Sequence, residues 1–166
     1  MAERTIVIDS VLLNYNGLFD FNEFYRLMDK WFREKGFDKY EKRNEEQVFK
    51  DHRQIVFQIE PWKKVNDYCK EVMKITFTFT NLKDVVVVKD KHRVKLQQGK
   101  IKVKFMGYLE TDWEHKWEGN PVLFFARAVF DQFIYKVSTD KYQALVAEDT
   151  MHLYSILKSY LNLQRY

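Results

Sequence analysis

From Lys70 to Asp112 apolar and polar residues alternate with the two-residue period of a pleated strand. Three segments can be laid side by side as a meander. In the first, Met73, Ile75, Phe77 and Phe79 share one face, and Lys70, Lys74, Thr76, Thr78 and Thr80 share the other. The second sets Val86, Val88, Val94 and Leu96 against Val85, Val87, Lys89, Lys91, Arg93 and Lys95. The third places Ile101, Val103, Phe105 and Leu109 opposite Lys100, Lys102, Lys104, Met106 and Tyr108. Gln98-Gly99 has the composition of a two-residue hairpin turn, with glycine supplying the positive φ. Asn81 to Asp84 would close the first hairpin.

The remaining elements follow from periodicity and punctuation. Thr5 to Leu13 reads as a strand with Ile6, Ile8 and Leu12 on one side. Asp20, followed three residues later by Glu23, has the capping-box pattern of a helix start, and Phe21, Phe24, Leu27, Met28, Trp31 and Phe32 form the apolar stripe that ends at Gly36. Phe37 to Asp51 is highly charged and reads as an edge strand with a loop. Arg53 to Lys63 is another strand, built around Ile55, Phe57 and Ile59. Pro61, which cannot donate to a ladder, places its end at an edge or a bulge. Asn120-Pro121 opens a short, nearly all-apolar helix over Val122 to Tyr135, in which Arg127 and Asp131 are spaced to pair. The pattern predicts burial for it, or else an oligomer, partner or lipid contact. Thr139 or Asp140 caps the last and longest helix, which runs to Leu163 with Tyr142, Leu145, Val146, Leu153, Ile156, Leu157, Tyr160 and Leu161 on its apolar face.

These elements predict a single α+β domain: an antiparallel sheet of four to six strands, covered on one face by the long C-terminal helix and two shorter ones. Strand, helix, antiparallel meander and long terminal helix resemble, in element order, the helix-grip architectures. That resemblance implies an apolar ligand or lipid held between sheet and C-terminal helix; no motif accompanies it, and fold alone does not establish function.

Charge changes the picture at one place. The chain carries a net +4, yet between Lys83 and Lys104 eight basic residues face two acidic ones, a local +6. The other twenty basic and twenty-two acidic residues leave −2 elsewhere. In the meander register nine cations share the outer face: Lys70, Lys74, Lys89, Lys91, Arg93, Lys95, Lys100, Lys102 and Lys104, with Lys95 beside Lys102 and Arg93 beside Lys104. Like charges directly opposite each other destabilise a sheet, so such a face favours open solvent or a polyanion. Two readings stand: a lysine face that blocks edge association, and a phosphate-binding surface for RNA or another polyanion. With only Tyr108 placed for stacking, the second would be electrostatic and weakly sequence-specific.

Other chemistry is sparse. Five glycines and two prolines in 166 residues argue against disorder and against a loop-built fold. The single Cys69 excludes an intrachain disulfide and fits a reducing cytosol, so a cytoplasmic protein is expected. No apolar run reaches the roughly 20 residues a spanning helix needs. Asp90 and His92 fall on the inner face of the meander near Gly107 and Phe105, a polar exception that can mark a pocket. Glu148, Asp149 and His152 share a helix face, with Asp149 and His152 expected to pair. Trp113 and Trp117, in a loop with Asp112, Glu114 and His115, are candidates for partner contact. No Gly-rich phosphate loop, GxSxG, CxxC or HExxH occurs, so no metal, cofactor or catalytic residue is assigned. The expectation is a non-enzymatic binding module for an anionic polymer. The alternatives are an apolar-ligand or lipid-binding domain and a subunit of a larger assembly; the oligomeric state is left open.

Overall fold

The computed structural model describes residues 3–38, 41–111, 121–130 and 136–163. Strands β1 (Glu3–Phe19), β2 (Glu41–Val48), β3 (Arg53–Ile59), β4 (Trp62–Lys64), β5 (Cys69–Lys89) and β6 (His92–Thr111) form one antiparallel sheet. Helix α1 (Phe21–Lys35) follows β1, while α2 (Pro121–Phe130) and α3 (Lys136–Leu163) follow β6. The sheet order is β1-β6-β5-β3-β2, with β4 paired to β5 beside β3. The fold is therefore α+β, with a six-stranded antiparallel sheet and a long C-terminal helix.

The inner face is apolar because alternation holds where the strands are central. Met73, Ile75, Phe77 and Phe79 on β5, and Ile101, Val103 and Phe105 on β6, are buried together with Phe24, Met28 and Phe32 of α1 and Leu153, Leu157 and Leu161 of α3. Aromatic rings fill the space: Phe24 meets Phe77 edge-on at 6.1 Å, and Phe105 meets Tyr154 edge-on at 5.8 Å. Helix α1 starts where expected. The Asp20 carboxylate accepts from Asn22 N at 2.9 Å and Glu23 N at 3.1 Å, and Gly36 closes the helix at φ 76°. Val122, Phe125 and Val129 of α2 are exposed, contrary to the burial expected there. Among the described residues, the helices that pack on the sheet core are α1 and α3. The Arg127–Asp131 pair lies outside what is described.

The expected three-strand meander is corrected to one long hairpin, β5–β6, whose turn is Asp90-Lys91 with φ 49° and 66°. Two positive φ values define the turn that suits the twist of a hairpin. Gln98-Gly99 is no turn. Both residues lie within β6 and pair with Leu18 and Gly17 of β1, and Gln98 also pairs with Lys83 of β5. Asn81 to Asp84 is likewise continuous strand, with a register shift between Thr80 and Lys83 and Asn81 at φ 53°. Gly99 sits opposite this bulge, where a Cβ would come within 3.0 Å of the Thr80 carbonyl oxygen. The glycine serves a close backbone approach, which resembles a turn in sequence.

Two consequences follow from the new register. Asp90 and His92 are exposed at the hairpin tip, and Phe105 is fully buried roughly 40 Å along the strand, so the three form no pocket. Lys95 pairs with Val86 and Arg93 with Val88, so neither neighbours Lys102 or Lys104. Strand β1 also runs on to Phe19, with register shifts between Ile6 and Val11. These turn Leu13, Tyr15 and Phe19 inward and leave Ile6 and Leu12 exposed.

Candidate anion-binding surface

The candidate site is the outer face of the central strands. Because Ile101, Val103 and Phe105 point inward and are buried, Lys100, Lys102 and Lys104 point outward and are exposed. Their β1 partners are Asn16, Asn14 and Leu12, and their β5 partners are Thr80, Thr78 and Thr76. Each ammonium thus stands between neutral side chains, most of them hydrogen-bonding. Among the described residues no ion pair joins Lys100, Lys102 or Lys104 to a carboxylate. A concavity of about 730 Å³ opens at this place, lined by Asn14, Asn16, Thr78, Thr80, Lys100 and Lys102 among others. Successive lysines are about 6.8 Å apart along the strand, twice the roughly 3.4 Å per phosphate of one stacked nucleic-acid strand.

The stripe ends at Tyr108 and Glu110. Arg4 Nε lies 3.2 Å from Glu110 Oε2 and Lys70 Nζ 3.3 Å from Glu110 Oε1, so Lys70, unlike Lys100, Lys102 and Lys104, is engaged by a carboxylate. The Arg4 guanidinium also lies over the Tyr108 ring at 5.1 Å. Burial, reinforced by the Glu60 charge, pushes the Tyr108 phenol up to about 12, so this ring is a neutral member of the sheet at any physiological pH. Lys74 lies on the outer face opposite Met106.

Lys89, Lys91, Arg93 and Lys95 belong to a separate feature. Strand β3 pairs with β5 no further than Leu82, and β1 with β6 no further than Gln97. Beyond those points the hairpin is a two-stranded arm, about 20 Å long. One side covers Leu96, which is buried; on the other, Val86 and Val88 are 63% and 70% exposed opposite Lys95 and Arg93. At the base of the arm, Arg53 reaches Asp84 Oδ1 at 3.1 Å and Gln97 Nε2 donates to the same oxygen at 3.2 Å. The nine cations are thus four on the outer sheet face, four on the arm and one bound to Glu110.

A second concentration of charge, unmarked by any sequence motif, lies inside. Glu71 shares the inner face with Met73 and is fully buried. Lys63 Nζ, from β4, stands 3.2 Å from Glu71 Oε2 and donates to Asp149 Oδ2 of α3 at 2.7 Å. Lys35, in the last turn of α1, reaches Asp149 Oδ1 at 3.1 Å. The Lys63–Glu71 approach lacks hydrogen-bond alignment, so both Glu71 oxygens are buried without a bonded donor. The expected Asp149–His152 pair is therefore corrected: Asp149 turns to the two lysines, and His152 Nδ1 accepts from Trp31 Nε1 at 3.0 Å. One signal could have found the cluster, because Glu71 is the single acidic residue in the inward register of β5. Cys69 is buried and forms no disulfide. Trp113 and Trp117, with Asp112, Glu114 and His115, lie outside the described residues.

The architecture is an antiparallel sheet held against a long C-terminal helix, with a lysine-lined concavity on the opposite face. Comparison with protein-family models, with curated proteins and with solved structures returns no match. Among the described residues no cluster of three or more metal-ligating side chains occurs, and no helix is long and apolar enough to cross a membrane.

Proposed function

We propose that this protein is a non-enzymatic binding module whose outer sheet face receives an anionic polymer, RNA or a ribonucleoprotein, with low sequence specificity. The observation that carries the reading is the Lys100–Lys102–Lys104 stripe. It is outward-facing, without acidic partners among the described residues, and flanked by asparagine and threonine side chains that can bond phosphate oxygens. Lys74 extends this face, and Lys89, Lys91, Arg93 and Lys95 on the arm add electrostatic attraction. The contacts are to phosphates, and among the described residues the strand partners of Lys100, Lys102 and Lys104 include no aromatic side chain, so affinity comes from charge and is independent of base identity.

Anisotropy of a labelled 12-nucleotide RNA, titrated from low to moderate salt, tests this. Replacing Lys100, Lys102 and Lys104 together by Gln should weaken binding strongly. It should also flatten the log–log salt slope by about 2, given roughly 0.7 per lost phosphate contact on a single strand. Equal affinity and slope in wild type and variant would overturn the assignment.

A second reading keeps the apolar-ligand or lipid function but moves its place. The space between sheet and α3 is filled by Phe105, Tyr154, Leu153 and Leu157. What favours a ligand elsewhere is a surface groove of about 380 Å³ between α1 and β3, with Phe21, Tyr25, Ile55 and Phe57 in its lining and Asn22, Arg26 and Asn44 beside them. Quenching of intrinsic fluorescence by a small amphipathic acid, abolished by Tyr25→Ala, would support that reading in place of the first.

A further inference from the structure

We infer that Glu71, Lys63 and Asp149 form a proton-operated clasp that fixes the middle of α3 to the sheet and loosens it when Glu71 gives up its proton. One ammonium serves two carboxylates, at 3.2 Å from Glu71 Oε2 and 2.7 Å from Asp149 Oδ2, so these two oxygens lie no more than about 6 Å apart. Two carboxylates that close, one of them fully buried, do not both ionise readily; one retains a proton above the usual carboxylate range. Lys35 places a second ammonium 3.1 Å from Asp149 Oδ1, so this carboxylate is flanked by two cations. Glu71 is the site of the proton, because neither of its oxygens receives an aligned donor and no solvent reaches it.

The groups facing Glu71 are few. Lys63 comes from β4, Asp149 from α3 and Lys35 from α1, while β6 presents the apolar Leu109 as its pairing partner. Next along α3, His152 is engaged with Trp31, whose ring lies 6.0 Å from Lys35 Nζ. Burial first, and then the Asp149 charge, lift the Glu71 carboxyl to about 7 against the pull of Lys63. Burial works against the Lys63 charge, but the bond to Asp149 and the attraction of Glu71 outweigh it and hold Lys63 protonated.

The direction of the switch follows from linkage. The folded carboxyl binds its proton more tightly than the solvated one, whose ordinary value is 4.5. The clasp is therefore fully closed in acid, and its stability is lost as pH rises from about 4.5 through about 7, after which it levels. Lifting α3 hydrates Glu71 and separates it from Asp149, so opening should grow up to tenfold per pH unit across that window. Leu153, Leu157 and Leu161 keep the C-terminal part of α3 on the apolar core throughout. The motion is thus a hinging of the α3 middle, with the rest of the helix as anchor.

Native-state hydrogen exchange on the intact chain, corrected for intrinsic rates, reads this directly. Amides from Val146 to His152 should open one to two orders of magnitude more often at pH 7 than at pH 5, with a plateau above. Glu71→Gln, which keeps the shape and removes the titration, should hold opening constant over the same range. A flat wild-type profile, or an unchanged slope in Glu71→Gln, would overturn the proposal. Should that variant not fold, carboxyl ¹³C titration of the wild type and of Asp149→Asn decides. A Glu71 midpoint near neutrality that falls in Asp149→Asn supports the clasp, and a midpoint in the ordinary carboxylate range refutes it.

Discussion

A Cβ added at Gly107 would stand 2.7 Å from Thr150 Oγ1, so β6 and α3 are in contact at a spacing only glycine tolerates. Thr150 Oγ1 is itself bonded to the Val146 carbonyl at 2.7 Å, and Val146 Cγ1 would lie 3.0 Å from the same added atom. Gly107→Ala should therefore destabilise the fold by about 1–3 kcal/mol through overpacking. Thr150→Ala in the same chain should recover part of that loss. A double-mutant cycle by urea denaturation measures it, and strict additivity would place the strain elsewhere.

The Asp20 carboxylate bonds two backbone N–H groups of the first turn of α1. Asp20→Ala should cost about 1 kcal/mol, while Asp20→Ser should retain most of the stability. Thermal denaturation of the two variants separates the cap from any general effect of removing an acid.

At the arm turn both Asp90 and Lys91 occupy the left-handed region. An Asn-Gly turn fits these angles without strain, so Asp90→Asn with Lys91→Gly should stabilise the protein by roughly 0.5–1 kcal/mol. A lower melting temperature would mean that the Lys91 side chain holds the arm by contacts that outweigh its backbone strain.

Lys63 carries the charge balance of the inner cluster. Lys63→Met should cost about 3 kcal/mol or more near neutral pH, since it leaves Glu71 with Asp149 and removes the ammonium between them. The loss should shrink towards pH 5 as Glu71 takes up a proton; chemical denaturation at the two pH values checks the sign. Lys35→Met, whose ammonium is partly solvent-exposed, should cost less.

The register separates Lys95 from Lys102 by seven positions of one strand, about 23 Å. Charge reversal at each should weaken polyanion binding independently, with the effects on log affinity adding. Strong coupling between Lys95→Glu and Lys102→Glu in salt-matched titrations would show that the two bind one phosphate group, which this register does not permit.

Much was legible from local pattern. The Asp20 cap, the α1 stripe through Phe24, Met28 and Phe32, and the inward positions 73 to 79 and 101 to 105 follow from periodicity and capping alone. So does the outward set Lys100, Lys102 and Lys104, because a side chain's face in a paired strand depends only on its parity relative to buried neighbours. Pro61 likewise marked the break between β3 and β4. The edge position of β2 followed from its charge.

Tertiary structure alone decided where the chain reverses and which charges meet. Alternation reads the same through a turn and through a straight strand. Nothing near Gly99 could reveal that its missing side chain accommodates the backbone at Thr80 and Asn81 on the opposite strand. Asp90-Lys91 became the turn because both β5 and β6 remain paired past Asn81, and this moved Asp90 and His92 from an inner wall to an exposed tip. The partners of Glu71 are beyond local reading for a related reason. Lys63 and Asp149 lie 86 residues apart, and only the packing of α3 over β4 and β5 makes one ammonium serve both carboxylates.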